Sequence, residues 1–182
     1  MINKKITILL TGLIFVISAF CVYGASQTSV TYEVKTGKVQ IHMETFTERN
    51  GKEEVWKEDK DILPGAVLSK IPRIYNDGAE CYVRAKVDFI CNKNTKKNLT
   101  MKNIQGISHK WKQAGEYYYL KDSLKTGENV NFFTGIRIPG EWEQEEEDGD
   151  SWDVKIQAEA IQTENFKPDF DSPDPWNMEK KQ

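Results

Sequence analysis

The stretch CYVRAKVDFIC, Cys81–Cys91, is the clearest indication of the fold class. Apolar residues alternate along it with polar or amphipathic ones: Cys81, Val83, Ala85, Val87 and Phe89 against Tyr82, Arg84, Lys86 and Asp88. A two-residue period places successive side chains on opposite faces of a β-strand. The stretch is therefore predicted to be a half-buried antiparallel strand, with one face on a core and the other in water.

Three further stretches repeat this period, and turn signals separate them. Their predicted core-side residues are Val39, Ile41, Met43 and Thr45; Val130, Phe132, Thr134, Ile136 and Ile138; and Trp152, Val154, Ile156, Ala158 and Ala160. Asn50-Gly51 is the strongest hairpin signal, and only residues 93–104 have room for a short helix. The pattern predicts an all-β fold over residues 37–166: a two-sheet antiparallel sandwich, jelly-roll-like.

Pro72 interrupts one of the shorter apolar runs, LSKIPRIY at residues 68–75. Proline has no backbone N–H to give to a sheet ladder, so it is confined mainly to edge strands and bulges. The strand that contains Pro72 is therefore expected at an edge or at a bulge.

The N-terminus has the pattern of a secretory signal peptide, expected to form a helix over residues 1–25. Lys4 and Lys5 precede an uncharged, largely apolar stretch at 6–23, and the small residues Gly24, Ala25 and Ser26 follow. This order predicts export and cleavage by signal peptidase near Gly24–Ser26. The alternative is an uncleaved anchor, because the apolar stretch reaches the lower limit for spanning a bilayer. Cleavage would leave a secreted or cell-surface chain without a stable membrane span.

The charge balance excludes some partners. The whole chain has a formal net charge of −3, and the signal segment contains only the two lysines, so the processed chain is more acidic still. Acidic surfaces repel phosphate backbones, which argues against nucleic acid as a partner. The two cysteines that remain after cleavage, Cys81 and Cys91, would be about 33 Å apart on an extended strand. That is too far for a disulfide, so both are predicted to be buried thiols.

Motifs for catalysis, cofactors and metals are absent from the sequence. His42 and His109 are distant from each other, and no HExxH, GxSxG, GxGxxG or P-loop pattern occurs. We therefore predict no catalytic residues, no cofactor and no metal site. The acidic run Glu141–Asp153 departs from the spacing of a calcium-binding EF-hand loop. A solvated loop is favoured there, and calcium binding by Asp148, Asp150 and Asp153 stays open.

The C-terminal residues 167–182, KPDFDSPDPWNMEKKQ, contain three prolines and little to bury. They predict an extended and partly mobile tail. Aromatic residues are frequent elsewhere, and Tyr117 and Tyr119 are candidates for an exposed binding face. This gives one alternative function, a monomeric extracellular module that binds carbohydrate or a surface protein.

Four stretches together resemble the TasA/camelysin family of exported proteins. They are the export segment, Leu63–Val87, Phe132–Trp142 and Trp152–Phe166, and AEAIQ at Ala158–Gln162 is the most specific element. The resemblance implies a secreted jelly-roll sandwich and assembly into biofilm-matrix fibres, either as a homopolymer or with a related exported matrix protein. Some members have been called metalloproteases, an activity that would here depend on His42 and His109. The missing zinc motif argues against it.

In the fibre-forming members, the family implies that the freed N-terminal segment inserts as a strand into the next subunit. The corresponding arm here is residues 26–36, with Val30, Tyr32 and Val34 on one face. An open sheet edge presents unpaired N–H and C=O groups that an added strand satisfies. The alternative is that this arm is an ordinary first strand packed in its own subunit.

Overall fold

The computed structural model describes residues 39–57, 63–90, 98–142, 153–164 and 166–177, together with the backbone of residues 32–34, 91 and 152. The predicted signal helix, the cleavage residues Gly24, Ala25 and Ser26, and Val30 of the arm lie outside the described residues. Within the described ranges, no helix is long and apolar enough to cross a membrane.

The described part of the chain is nearly all β. Its strands are β1 (Tyr32–Val34), β2 (Ile41–Arg49), β3 (Lys52–Val55), β4 (Val67–Ser69), β5 (Ile71–Asn76), β6 (Cys81–Cys91), β7 (Ile104–Gln105), β8 (Trp111–Ala114), β9 (Tyr117–Leu120), β10 (Asn129–Asn131), β11 (Gly135–Arg137) and β12 (Trp152–Gln162). A single 3-10 turn at Met101–Asn103 is the only helical element among the described residues. The all-β prediction is confirmed.

The strands form three sheets. Five strands lie in the order β1-β12-β6-β9-β8, four in the order β10-β5-β2-β3, and three in the order β4-β11-β7. Neighbours pair antiparallel throughout, except that β1 pairs parallel with β12. The predicted hairpin is confirmed, since Arg49 pairs with Lys52 and the two turn residues, Asn50 and Gly51, both have positive φ.

The four- and three-stranded sheets are joined by a bent two-stranded ribbon. Only Lys70 separates β4 from β5, and the break between β10 and β11 is bridged by bonds from Lys70 N to the Thr134 carbonyl at 3.2 Å and from Phe132 N to the Pro72 carbonyl at 2.9 Å. The alternation predicted through Val130–Ile138 is therefore wrong in its middle. Thr134 is exposed, whereas Phe132 and Phe133 are both fully buried, because the chain leaves strand geometry there.

Pro72 lies neither on an edge strand nor at a bulge, since it pairs with Thr45 in the uninterrupted β2–β5 ladder, so that expectation is wrong. Its strand, β5, pairs with β2 on one side and with β10 on the other. In an antiparallel ladder, the N–H and C=O of one residue face the same neighbour. The Pro72 carbonyl faces Phe132, immediately after β10 has ended at Asn131. The missing N–H of Pro72 therefore removes only one backbone hydrogen bond, at the end of the short pairing between β5 and β10.

The buried apolar side chains of the described strands form one hydrophobic core. The alternation predicted for β6 and β12 is confirmed by the residues that these two strands contribute to it. Cys81, Val83 and Ala85 of β6 are buried, and Ile156 of β12 lies in the same cluster, which also includes Ile74 of β5. Cys81 is a buried free thiol. Because Cys81 pairs with Gln162 and Cys91 with Trp152, the two cysteines occupy opposite ends of β6, as expected for residues that cannot form a disulfide.

Candidate functional site

The outer edge of β12 is the first feature that an interaction could use. Along its whole length β12 pairs with β6, from Trp152 opposite Cys91 to Gln162 opposite Cys81. On its other side it pairs only with β1, over Ala158–Ala160. No other described strand pairs on this side of β12.

The short strand β1 lies parallel to β12, with Tyr32 opposite Ala158 and Val34 opposite Ala160. Ala158 and Ala160 are both buried on the core face. Residues in register share a face of the sheet, so positions 32 and 34 fall on that face. The predicted arm thus contains a strand at Tyr32–Val34 that pairs within its own chain, which is one of the two arrangements expected for it.

The second feature is a cluster on the outer face of the same sheet, centred on Arg84 of β6. Arg84 donates to Glu159 Oε2 from Nε at 2.8 Å and from Nη2 at 2.6 Å, and Tyr117 OH donates to Glu159 Oε1 at 3.0 Å. The guanidinium lies 4.0 Å from the Tyr117 ring centroid and 4.6 Å from that of Trp176. It is therefore held between two aromatic rings and a carboxylate, a strongly restrained arrangement.

The surroundings keep Arg84 charged. Burial alone would lower the pKa of Arg84, but the hydrogen bonds and charge of Glu159 raise it above its ordinary value. Burial, supported by the hydrogen bond to Glu159, raises the pKa of Tyr117. The cluster thus contains a permanent cation, paired with one carboxylate and bordered by neutral phenols at physiological pH.

The C-terminal segment, defined here as residues 166–177, covers this cluster. Trp176 is only 4% exposed, and its ring centroid lies 5.8 Å from that of Tyr119. Lys112 of β8 donates to the Phe170 carbonyl, and Tyr119 OH donates to Asp174 at 3.4 Å. The expectation that the tail has little to bury is therefore wrong for these residues, and its partial mobility stays a prediction. The buried residues of this segment are Pro168, Pro175 and Trp176, so two of the prolines contribute to the burial together with the tryptophan.

The aromatic binding face predicted from Tyr117 and Tyr119 is not open. Tyr119 is only 3% exposed, and Tyr117 is partly buried beneath Arg84. Tyr119 packs against Trp176 of the C-terminal segment, and Tyr117 packs against Arg84 and Tyr119. No sequence pattern indicates this cover, because neither Arg84 nor Trp176 belongs to a recognisable motif.

The histidines and acidic residues do not form a metal centre in the part of the chain that the structure describes. His42 stacks on Tyr75 with ring centroids 4.7 Å apart and forms a hydrogen bond with Asp77 through Nδ1, while His109 lies exposed before β8. No group of three His, Cys, Asp or Glu residues in these ranges is placed to hold a metal ion. Asp148 and Asp150 of the possible calcium loop fall outside them, and Asp153 lies near the start of β12.

Comparison with protein-family models, with curated proteins and with solved structures yields no match for the chain. The resemblance to the TasA/camelysin family, and the export and fibre assembly that it implies, therefore stay predictions.

Proposed function

We propose that this chain is a secreted structural protein, a subunit of an extracellular biofilm-matrix fibre that grows by strand addition. In this proposal the signal segment is removed by signal peptidase, and the three sheets form the two layers of a jelly-roll-like sandwich. The resemblance to the TasA/camelysin family supports the proposal. The partner is another copy of the chain or a related exported matrix protein.

The single observation that carries the proposal is the position of β1. Among the described strands, β1 pairs with β12 alone, at the edge of the five-stranded sheet, and with three residues only. The core strands β6 and β12 remain paired along their whole length without it. A peripheral strand of this kind can leave and be replaced by the same strand of another copy, as in domain swapping.

The edge that receives β1 suits such an exchange. Ala158 and Ala160 have short side chains on the core face, which leaves room beside them for the larger residue types at positions 32 and 34 of a neighbouring strand. The exchange joins an arm on one copy to an edge on the next. Because donor and acceptor surfaces differ, the contact is head-to-tail, and it propagates into a filament unless the rotation closes a ring.

Electron microscopy of two purified proteins tests this function. One protein begins at Ser26 and the other, which lacks residues 26–36, begins at Gly37. We expect filaments from the first and none from the second, with circular dichroism used to verify that both contain the same β-structure. Folded monomers from both proteins, at concentrations up to the solubility limit, would contradict the fibre and favour a monomeric binding module.

A matched pair of arm variants separates the role of the strand from that of the chain terminus. Tyr32→Asp with Val34→Asp puts charge at two positions in register with buried alanines, so it is expected to abolish filaments. Glu33→Gln changes the position in register with the polar Glu159 and is expected to preserve them. Equal polymerisation of the two variants would show that the arm does not join the subunits.

A further inference from the structure

Residues 169–177 of the C-terminal segment form a loop that its own hydrogen bonds close, and we call it the Trp176 loop. The Asp169 N–H donates to the Pro175 carbonyl at 2.9 Å, which joins the two ends of the loop. The Trp176 N–H donates to Asp174 Oδ1 at 3.1 Å. Because these bonds lie within the loop, its conformation is preorganised, and less conformational entropy is lost when it binds a surface.

The loop is anchored on the outer face of the five-stranded sheet by an aromatic side chain. The ring centroid of Trp176 lies 5.8 Å from that of Tyr119 on β9 and 4.6 Å from the guanidinium carbon of Arg84 on β6. Trp176 is 4% exposed, and the preceding Pro175 is fully buried. A buried tryptophan held by tyrosine and arginine is the composition typical of a hot spot in a protein–protein interface.

Polar contacts fix the position of the loop around this anchor. Tyr119 OH donates to Asp174 at 3.4 Å, and Lys112 of β8 donates to the Phe170 carbonyl. The loop contains three aspartates and no lysine or arginine, so the charge of Lys112 is complementary to it. We call Arg84, Lys112 and Tyr119 the loop site.

We propose that the loop site is a protein-recognition site, and that the Trp176 loop of a second copy of this chain can occupy it in place of the chain's own loop. The loop is closed by its own bonds and is held on the sheet by side-chain contacts. These contacts are the same whichever copy supplies the loop. The site lies on β6, β8 and β9, so this contact is distinct from the exchange of β1 at β12 and does not depend on fibre formation.

The concentration of the protein decides which loop occupies the site. A tethered loop has an effective concentration in the millimolar range, so a chain's own loop fills the site when copies are dilute. A second copy competes where copies are crowded together. Two copies that exchange loops reciprocally are then joined as in a domain-swapped dimer.

A synthetic peptide of residues 166–177 represents the loop of a second copy. The acceptor is the protein that begins at Ser26 with Trp176→Ala, whose own loop has lost its anchor. We expect calorimetric titration to show binding of this peptide to the acceptor. The peptide with Trp176→Ala should bind at least about thirtyfold more weakly, as expected for truncation of a hot-spot residue. The peptide with Pro173→Ala, changed at an exposed position, should bind as the unchanged peptide does.

Two further variants of the acceptor locate the binding. Tyr119→Phe removes the hydroxyl that donates to Asp174 and should weaken binding about fivefold, the net contribution of one hydrogen bond. The matched control is Tyr118→Phe, because the Tyr118 ring packs against the core residue Phe132, and it should leave the affinity unchanged.

Three outcomes of the titration would overturn the proposal. They are no binding to an acceptor that retains its β-structure by circular dichroism, equal binding of the peptides with and without Trp176, and equal binding to the acceptor and to the chain whose own loop is intact.

Cross-linking of the protein with its natural Trp176 tests exchange between copies, whether or not the Trp176→Ala acceptor folds. Isotope-labelled and unlabelled chains are mixed and treated with a carbodiimide, which joins Lys112 to Asp169 or Asp171, the aspartates that flank Phe170. We expect these cross-links to lie within single copies in dilute protein and to join labelled to unlabelled copies increasingly as the concentration rises. Cross-links confined to single copies up to the solubility limit would overturn the proposal. Filaments with such confined cross-links would support the fibre and reject loop exchange.

Discussion

Arg84 and Glu159 face each other across the β6–β12 pair, and two guanidinium nitrogens of Arg84 bond one oxygen of Glu159, at 2.8 and 2.6 Å. Their side chains are 12% and 16% exposed. This ion pair links the two longest strands of the described chain on the face opposite the core. Because β12 is also the strand that pairs with β1, this ion pair stabilises the position of the strand on which the proposed assembly depends.

Removing the carboxylate is expected to destabilise the protein. Glu159→Gln leaves the guanidinium of Arg84 partly buried without its counter-charge, and we expect a loss of about 2 kcal/mol in the free energy of unfolding. Urea denaturation measures it. The control is Glu53→Gln, which removes the partner of Arg73, because Glu53 is 39% exposed and its pair should contribute less than about 1 kcal/mol. Equal losses of unfolding free energy in the two variants would contradict the expectation that the more buried Arg84–Glu159 pair contributes more to stability than the Arg73–Glu53 pair.

The C-terminal segment is expected to depend on Trp176. Trp176→Ala removes the buried ring that stacks on Arg84 and packs against Tyr119, at an expected cost of about 3 kcal/mol. Limited proteolysis should then cut within residues 166–177, whereas Pro173→Ala, at an exposed position of the same segment, should leave them protected. Unchanged resistance of the Trp176 variant to protease would show that the segment is held by other contacts.

Stability is expected to fall at alkaline pH because of Cys81. Burial raises the pKa of the Cys81 thiol from 9.0 to about 12. Between these values the unfolded chain has lost the proton and the folded chain retains it, so the stabilisation is complete below pH 9 and is lost as the pH rises through the folded pKa. Urea denaturation from pH 8 to pH 11 measures the slope.

The control for this slope is Cys81→Ala, which lacks the ionisable thiol and should lose less stability over the same pH range. The pKa values of the partly buried Tyr117 and Tyr118 and of the buried Tyr119 are also raised, so they give a residual slope of the same sign in both proteins. If the unfolding free energies of the two proteins fall in parallel as the pH rises, the Cys81 thiol is ruled out as a cause of the alkaline loss of stability.

Much of the fold was predictable from the sequence because a two-residue period assigns each side chain to a face. The alternation of buried and partly buried positions in β6 and β12 follows this period over most of their length. The turn at Asn50-Gly51 was predictable from its own local signal. The period gives no information about which strands become neighbours. The interior position of Pro72 depends on where β10 ends, and that is a property of the tertiary pairing.

The candidate site was less predictable for the same reason. Arg84 and Glu159 are far apart in the sequence and meet only through the register of β6 and β12. Trp176 lies in a segment without periodicity, so nothing local indicates that it is buried. Residues 30, 32 and 34 of the arm have a readable alternation, but the sequence alone could not identify β12 as the strand that pairs with Tyr32–Val34.

Mixing two forms of the chain tests the central claim, assembly by arm exchange, most directly. Copies that begin at Gly37 have an open β12 edge and no arm, so they can accept a neighbour's arm and cannot donate one. Added to copies that begin at Ser26, they should end each growing filament. We predict that electron microscopy will show filaments that shorten as the armless fraction rises, while the same amount of additional arm-bearing chain does not shorten them. Filaments of unchanged length would contradict assembly through the arm.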